Sequence, residues 1–172
     1  MILQKLRTQK GFSLLELLLV VAVGAILILA GLAIYRNISQ NAEVNESLRL
    51  LNVLKQETQR IFQGENTYTG LDNTVLTSTQ SVPAQYTTGP GVIRTPFNTD
   101  VVVVVNGTNA DEFDITFEEV PDEICAKLGV EYSTDDSDFV NLAIGVTDIE
   151  DPNVATVVAE CSDGVDITWT FD

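Results

Sequence analysis

The chain has 172 residues, room for one domain with an appendage. Nine Lys and Arg stand against 25 Asp and Glu with no His, a formal net charge of −16, which excludes phosphate-neutralising nucleic-acid binding, histidine general bases, Ser/His/Asp triads and His-ligated zinc. Hydrophobic residues make up 45 % of the sequence, too many for a disordered acidic chain, so it folds.

The charge is uneven along the chain. Residues 1–69 hold seven basic and five acidic side chains, a net of +2, whereas from residue 70 onward only Arg94 and Lys127 face 20 acids, a net of −18. Residues 1–10 carry Lys5, Arg7 and Lys10 and no acid, the pattern of a segment kept on the cytoplasmic side of a bilayer. Gly11, Phe12, Ser13, Leu14, Leu15 and Glu16 follow, and then an unbroken small and apolar run over residues 17–34. At a rise of about 1.5 Å per residue this run reaches across a hydrocarbon core, and a membrane helix is expected.

A secretory signal peptide has a shorter apolar region, roughly 7 to 15 residues, and ends at a small-x-small site. Here the helical pattern continues: Val44, Leu48, Leu51, Leu54 and Ile61 fall at helical spacing, with no Pro or Gly between Arg36 and Gly64. One helix over residues 12–63 is expected, apolar all round in its first half and amphipathic in its second, with Leu48, Leu51 and Leu54 buried against a globular domain. Glu16 is the exception in the first half. A carboxylate in a membrane segment costs about 2.5 to 3.5 kcal/mol and calls for a partner, although the dipole at a helix N-terminus also favours an acid there.

The string Lys10, Gly11, Phe12, Ser13, Leu14, Leu15, Glu16, Leu17, Leu18 resembles the prepilin processing site of type IV pilins and related pseudopilins: a basic leader, Gly, Phe, Glu at the fifth place counted from Phe, then an apolar helix. The resemblance implies that a prepilin peptidase cuts after Gly11 and methylates the new amine of Phe12, with the helix kept in the membrane. It implies further that the Glu16 carboxylate meets the Phe12 amine of an adjacent subunit as subunits join a filament. Pairing two charges otherwise stranded in an apolar core removes most of their desolvation cost and sets axial register. Leader removal leaves 161 residues with 6 basic and 25 acidic side chains. The sequence departs from type IVa pilins at Ala33, near the place where those usually carry a proline, and Gly24 and Gly31 remain as weak points of the helix. The expected organisation is a leader over residues 1–11, a transmembrane and filament-core half-helix over 12–35, an amphipathic half over 36–63 and an acidic sheet domain over 64–172.

Residues 64–96 read as a loop-rich connection, punctuated by Gly64, Gly70, Pro83, Gly89, Pro90, Gly91 and Pro96. Five consecutive valines at 101–105 read as a buried strand, and Asn106 and Gly107 as a turn. Phe113, Ile115 and Phe117 alternate with Asp114, Thr116 and Glu118 as the second arm of a hairpin. Residues 121–128 read as a short helix, opened by Pro121, Asp122 and Glu123, with Lys127 at its negative end and Gly129 as its stop. Strands are expected over 139–146, 155–160 and 165–171, the last with Val165, Ile167, Trp169 and Phe171 on one face. The expected fold class is α+β, one long N-terminal helix packed on an antiparallel sheet.

Cys125 and Cys161 are the only cysteines. In a region placed outside the cytoplasm this even pair is most simply a disulfide, worth roughly 3 to 4 kcal/mol, that staples the final strands to the short helix. Two thiols without His make a poor zinc site. Residues 120–128 and 161–171 look most like the type IVb branch of the pilins, whereas the short leader and Phe12 look more like type IVa. Asp135, Asp136, Ser137 and Asp138, or Asp148, Glu150 and Asp151, offer clustered oxygens of the kind calcium takes, but neither stretch has EF-hand spacing, and no cofactor is expected. Carboxylate pairs for a hydrolase arise by chance among so many acids, and no enzyme is expected.

The resemblance implies a structural subunit of a type IV pilus, a homo-oligomer in a helical filament that serves adhesion, motility or aggregation. Its partners would be the prepilin peptidase and the pilus assembly platform of the inner membrane, its locations the bacterial inner membrane and then the cell surface. The alternatives are a type II secretion pseudopilin and a minor pilin acting as a tip adhesin.

Overall fold

A computed structural model describes residues 13–131, 137–149 and 152–172. Helix α1, Leu14–Ile61, is unbroken over 48 residues, within two residues at each end of the span expected from hydrophobic spacing. The chain divides into two compact units, Met1–Ser39 and Gln40–Asp172. In the first, the large apolar side chains from Leu14 to Ile38 are 49–76 % exposed. The helix there is long and apolar enough to cross a membrane.

In the second unit, α1 is amphipathic and carries a core. Val44, Leu50, Leu51 and Leu54 are buried, while Leu48 and Ile61 are half-buried against the same cluster. Leu50 lies off the stripe read from the sequence yet is buried as fully as Leu51. The rest of the core comes from a seven-stranded sheet: β1 Thr87–Gly89, β2 Val92–Arg94, β3 Asp100–Val105, β4 Phe113–Val120, β5 Phe139–Ile144, β6 Thr147–Ile149 and β7 Val165–Phe171. The strand order is β1-β2-β3-β4-β7-β5-β6, and every pairing is antiparallel. The β3–β4 hairpin sets Val103 opposite Ile115, which in turn lies opposite Trp169, and Leu142 of β5 completes the row. With a period of two, this register puts Val101, Val103, Ile115, Phe117, Ile167 and Trp169 on one buried face, and Phe117 packs edge-on to Trp169 with ring centroids 5.1 Å apart.

Four expectations need correction. Residues 64–96 are more than a connection. Asp72 accepts a hydrogen bond from the Val75 N–H and caps helix α2, Asn73–Ser78; a 3-10 turn at Ala84–Tyr86 and strands β1 and β2 follow. Gly129 does not stop a helix: α3, Asp122–Glu131, runs through it. Residues 155–160 are helix, not strand. Asn153 caps α4, Val154–Glu160, by accepting from the Ala155 and Thr156 N–H groups, and the Thr156 hydroxyl accepts from the Asn153 N–H. This reciprocal cap outweighs the β preference of Val157 and Val158. Strand 139–146 ends early, because Gly145 at φ +62° turns the chain into β6. At Gly129 a Cβ would stand 2.7 Å from Val157 Cγ1, so glycine permits the close approach of α3 and α4.

Candidate assembly site

The described helix opens with a polar device at the end of an apolar rod. The Ser13 carbonyl accepts the Leu17 N–H at 3.1 Å, the first intrahelical bond, and its Oγ accepts the Leu15 N–H at 3.4 Å. Glu16 Oε2 accepts the Ser13 N–H at 3.1 Å. This is a variant of the capping box, with Glu three residues past the cap bonding back to it and Ser13 Oγ taking the second helical N–H instead of the third, and it satisfies donors that hydrocarbon could not. The sequence reading took Glu16 alone. The Ser-x-x-Glu spacing ahead of an apolar run was the available signal for its partner. Glu16 is exposed, and among the described residues only its Oε2 is engaged, so the carboxylate retains sites for a further donor. Gly11 and Phe12 lie outside the described residues.

The sheet domain is braced at two places. Cys125 of α3 and Cys161, the C-cap of α4, form a disulfide with Cα atoms 5.8 Å apart at a sequence separation of 36. The bond is the expected one, but it staples helix to helix rather than helix to strand. The second brace is Lys55, a charged residue that the sequence reading did not single out. Its side chain is 7 % exposed, with Nζ 3.3 Å from Asp138 Oδ2 and 5.2 Å from the centroid of the Phe171 ring. Gln59 donates to Asp138 Oδ2 and to the Asp172 carbonyl, both at 3.1 Å, tying α1 to the end of β7. Hydrogen bonds from Gln59, Ser137 and Lys55, with the Lys55 charge, hold the Asp138 carboxyl below its ordinary range against a smaller opposing effect of burial. Burial, with the Asp172 and Asp138 charges, pushes the nearby Tyr68 phenol up.

Of the acidic stretches, Asp138 is therefore committed to Lys55 and Gln59, and Asp148 accepts from Asn141 at 3.0 Å. Asp135, Asp136, Glu150 and Asp151 lie outside the described residues. Among the described residues no three acidic or cysteine side chains converge as a metal site.

A half-helix whose apolar surface its own unit leaves bare, continued as the core of a disulfide-braced antiparallel sheet domain, is the arrangement of a type IV pilin-like protein. Residues 6–32 match the prokaryotic N-terminal methylation motif. Residues 39–172, well over half of the chain, match the PilS N-terminal family, and the chain belongs to that family. The crystal structure of the type IV b pilin from Salmonella typhi is similar, with a TM-score of 0.58 at 15 % identity, covering 72 % of this chain and 95 % of that one. At that identity the likeness is one of fold. No curated protein sequence matches. Pilins are structural subunits that oligomerise into a filament, not enzymes.

Proposed function

We propose that the chain is the repeating subunit of a type IV pilus, made in a bacterial inner membrane as a prepilin and drawn by the assembly platform there into a surface filament for adhesion, motility or aggregation. Prepilin peptidase removes residues 1–11 by cutting after Gly11 and methylates Phe12. The observation that carries this reading is the bare first half of α1. Its apolar side chains, 49–76 % exposed, form far more contiguous apolar surface than a soluble monomer tolerates, and lipid first, then neighbouring copies, would cover it. Glu16 is the one charge in that surface from Leu14 to Tyr35, and in this reading its free lone pairs accept the Phe12 ammonium of the next subunit.

The capping box gives the test a control. Glu16→Ala removes both the cap and the charge, whereas Glu16→Gln keeps an N3 side chain able to cap and removes only the charge. Both variants should be inserted, cleaved and stable in the membrane, and both should incorporate poorly, with partial rescue by wild type because each variant still offers its amine. Normal filament numbers from Glu16→Gln alone would reduce Glu16 to a cap and remove the proposed pairing. Mass spectrometry of sheared filaments tests the rest. An abundant chain beginning at N-methylated Phe12 is expected; a trace component would point to a tip subunit, and lost exoprotein secretion without surface filaments to a pseudopilin.

A further inference from the structure

The sheet domain carries two complementary patches at opposite edges of its sheet. At the β1 edge, Glu46 of α1 accepts from Tyr86 Oη and Gln85 Nε2 at 3.1 and 3.2 Å, which seats this turn of the helix beside the residues leading into β1. Arg49 stands one turn further on, exposed and close enough to act on the Tyr86 phenol. Lys55, Arg60 and Arg94 each pair with a carboxylate, and Lys127 donates to Asn41. Arg49, among the described residues, makes no ion pair and no hydrogen bond, although the domain is crowded with acids. Of the exposed helix positions around it, Ala42, Asn45, Asn52 and Gln56 are uncharged, and the one acid, Glu46, already accepts from Tyr86 and Gln85.

At the β6 edge, β6 and α4 enclose an open groove of about 610 Å³, with Ile149, Ala155 and Ala159 as an apolar floor and Asp148 and Glu160 as its acids. Beside it stand the barest large apolar side chains among the described residues of the domain: Val154 and Val158 of α4 are 62 % and 51 % exposed, and Val146 at the β5–β6 turn is fully exposed. Only Val157 of α4 is buried. Six strand spacings of about 4.8 Å, roughly 29 Å, separate β1 from β6.

We infer that Arg49 of one copy enters the β6–α4 groove of the next. This rests on the filament reading above. An arginine suits such a groove, since its methylene stem covers the apolar floor while its planar guanidinium reaches carboxylates. Two different patches that join copies head to tail, without closing a ring, generate an open helical filament. The contact also offsets the mutual repulsion of subunits that each carry a large negative charge.

The full-length chain, in cells that assemble it, provides the test. Arg49→Glu sets like charges together and should lower the yield of sheared filaments about tenfold, as should Asp148→Lys combined with Glu160→Lys. Joining all three changes should bring the yield back to within about twofold of wild type. Membrane levels and the Cys125–Cys161 bond, read on non-reducing gels, report whether each variant has folded. A second arm needs no destabilising change: Arg49→Lys keeps the charge and supplies an amine that a carbodiimide condenses with a touching carboxylate, with loss of water. Mass spectrometry should then find position 49 amide-linked to Asp148 or Glu160 of another copy. Filament yield indifferent to Arg49→Glu in a folded variant, or links from position 49 only to other carboxylates, overturns the inference and leaves the filament reading standing. A wild-type chain that is processed but forms no filaments overturns that reading, and the inference with it.

Discussion

Leu18 and Leu54 sit on the same helix, yet Leu18 is 60 % exposed and Leu54 is wholly buried. The backbone is the same at both places; what differs is the distribution of polar residues around it. From Leu17 to Ile34 no side chain is charged, so no face of the helix is marked as the one to turn inward. Its apolar surface is left for lipid or for other chains. Beyond Gln40 the apolar residues gather on one stripe, and the sheet of the same chain covers it. A hydrophobic segment thus makes a core only where its pattern selects a face.

Substitutions should separate the two regions sharply. Trp169, the only tryptophan, is buried in the sheet, so its fluorescence in detergent-solubilised full-length chain reports unfolding of the acidic domain alone. The largest expected effect is that of Cys125→Ser, since opening a loop of 36 residues costs about 4 kcal/mol on the chain-entropy account. Insertion of the apolar half-helix should be unaffected. Next is Leu54→Ala, expected to cost about 3 kcal/mol through lost burial and the cavity left behind, whereas Leu18→Ala should shift the Trp169 transition by less than about 0.5 kcal/mol. Equal shifts for the two leucines would break the division of the helix. Gly129→Ala should cost about 2 kcal/mol, because the new methyl would meet Val157 Cγ1 at 2.7 Å and force α3 and α4 apart. A stabilised variant there would mean that the helix packing yields easily.

Much of this was legible in the sequence because it rests on long, regular signals. Forty-eight residues without Pro, broken by Gly only at Gly24 and Gly31, announce a helix. Five valines followed by Asn106, Gly107 and an alternating Phe113-Ile115-Phe117 run announce a hairpin, and the register follows from the alternation. The misread places are short and decided by a few atoms. In α4 a single reciprocal cap between Asn153 and Thr156 outweighs two neighbouring valines, and that cap is visible in sequence only as Asn-x-x-Thr. Gly129 has the look of a helix stop, and only the position of Val157 from the next helix reveals it as a packing glycine. At the candidate assembly site the acid is legible as a lone charge in an apolar run, and its serine partner only as Ser-x-x-Glu ahead of that run. Lys55 gave no signal at all: a lysine on an amphipathic helix is ordinarily solvated, and its burial depends on where Asp138 and Phe171 come to lie.

The smallest expected effect is a pH dependence that belongs to the acidic domain and turns on that lysine. Asp138 is held below its ordinary range in the folded chain, so the folded state favours its ionised form. A carboxyl whose pKa falls on folding contributes stability that is fully present above the unfolded value and is lost as pH drops through the folded one. Glu57, lowered chiefly by its hydrogen bond with Arg60, acts in the same direction. Both therefore contribute to the acid limb of the wild-type profile. Asp138→Asn isolates one share, since the amide oxygen still accepts from Gln59 while the charge facing Lys55 is gone. With Asp138 40 % exposed, solvent screening limits the difference between wild type and variant at neutral pH to under about 1 kcal/mol. That difference should close as the carboxyl is protonated, because below its folded pKa the wild-type side chain is as neutral as the asparagine. Thermal midpoints read by Trp169 fluorescence across the acid range measure it. A gap that stays constant from neutral pH to the acid limit would show that the variant loses packing rather than charge, and that Lys55 is held by the Phe171 ring and its own stem instead of by Asp138.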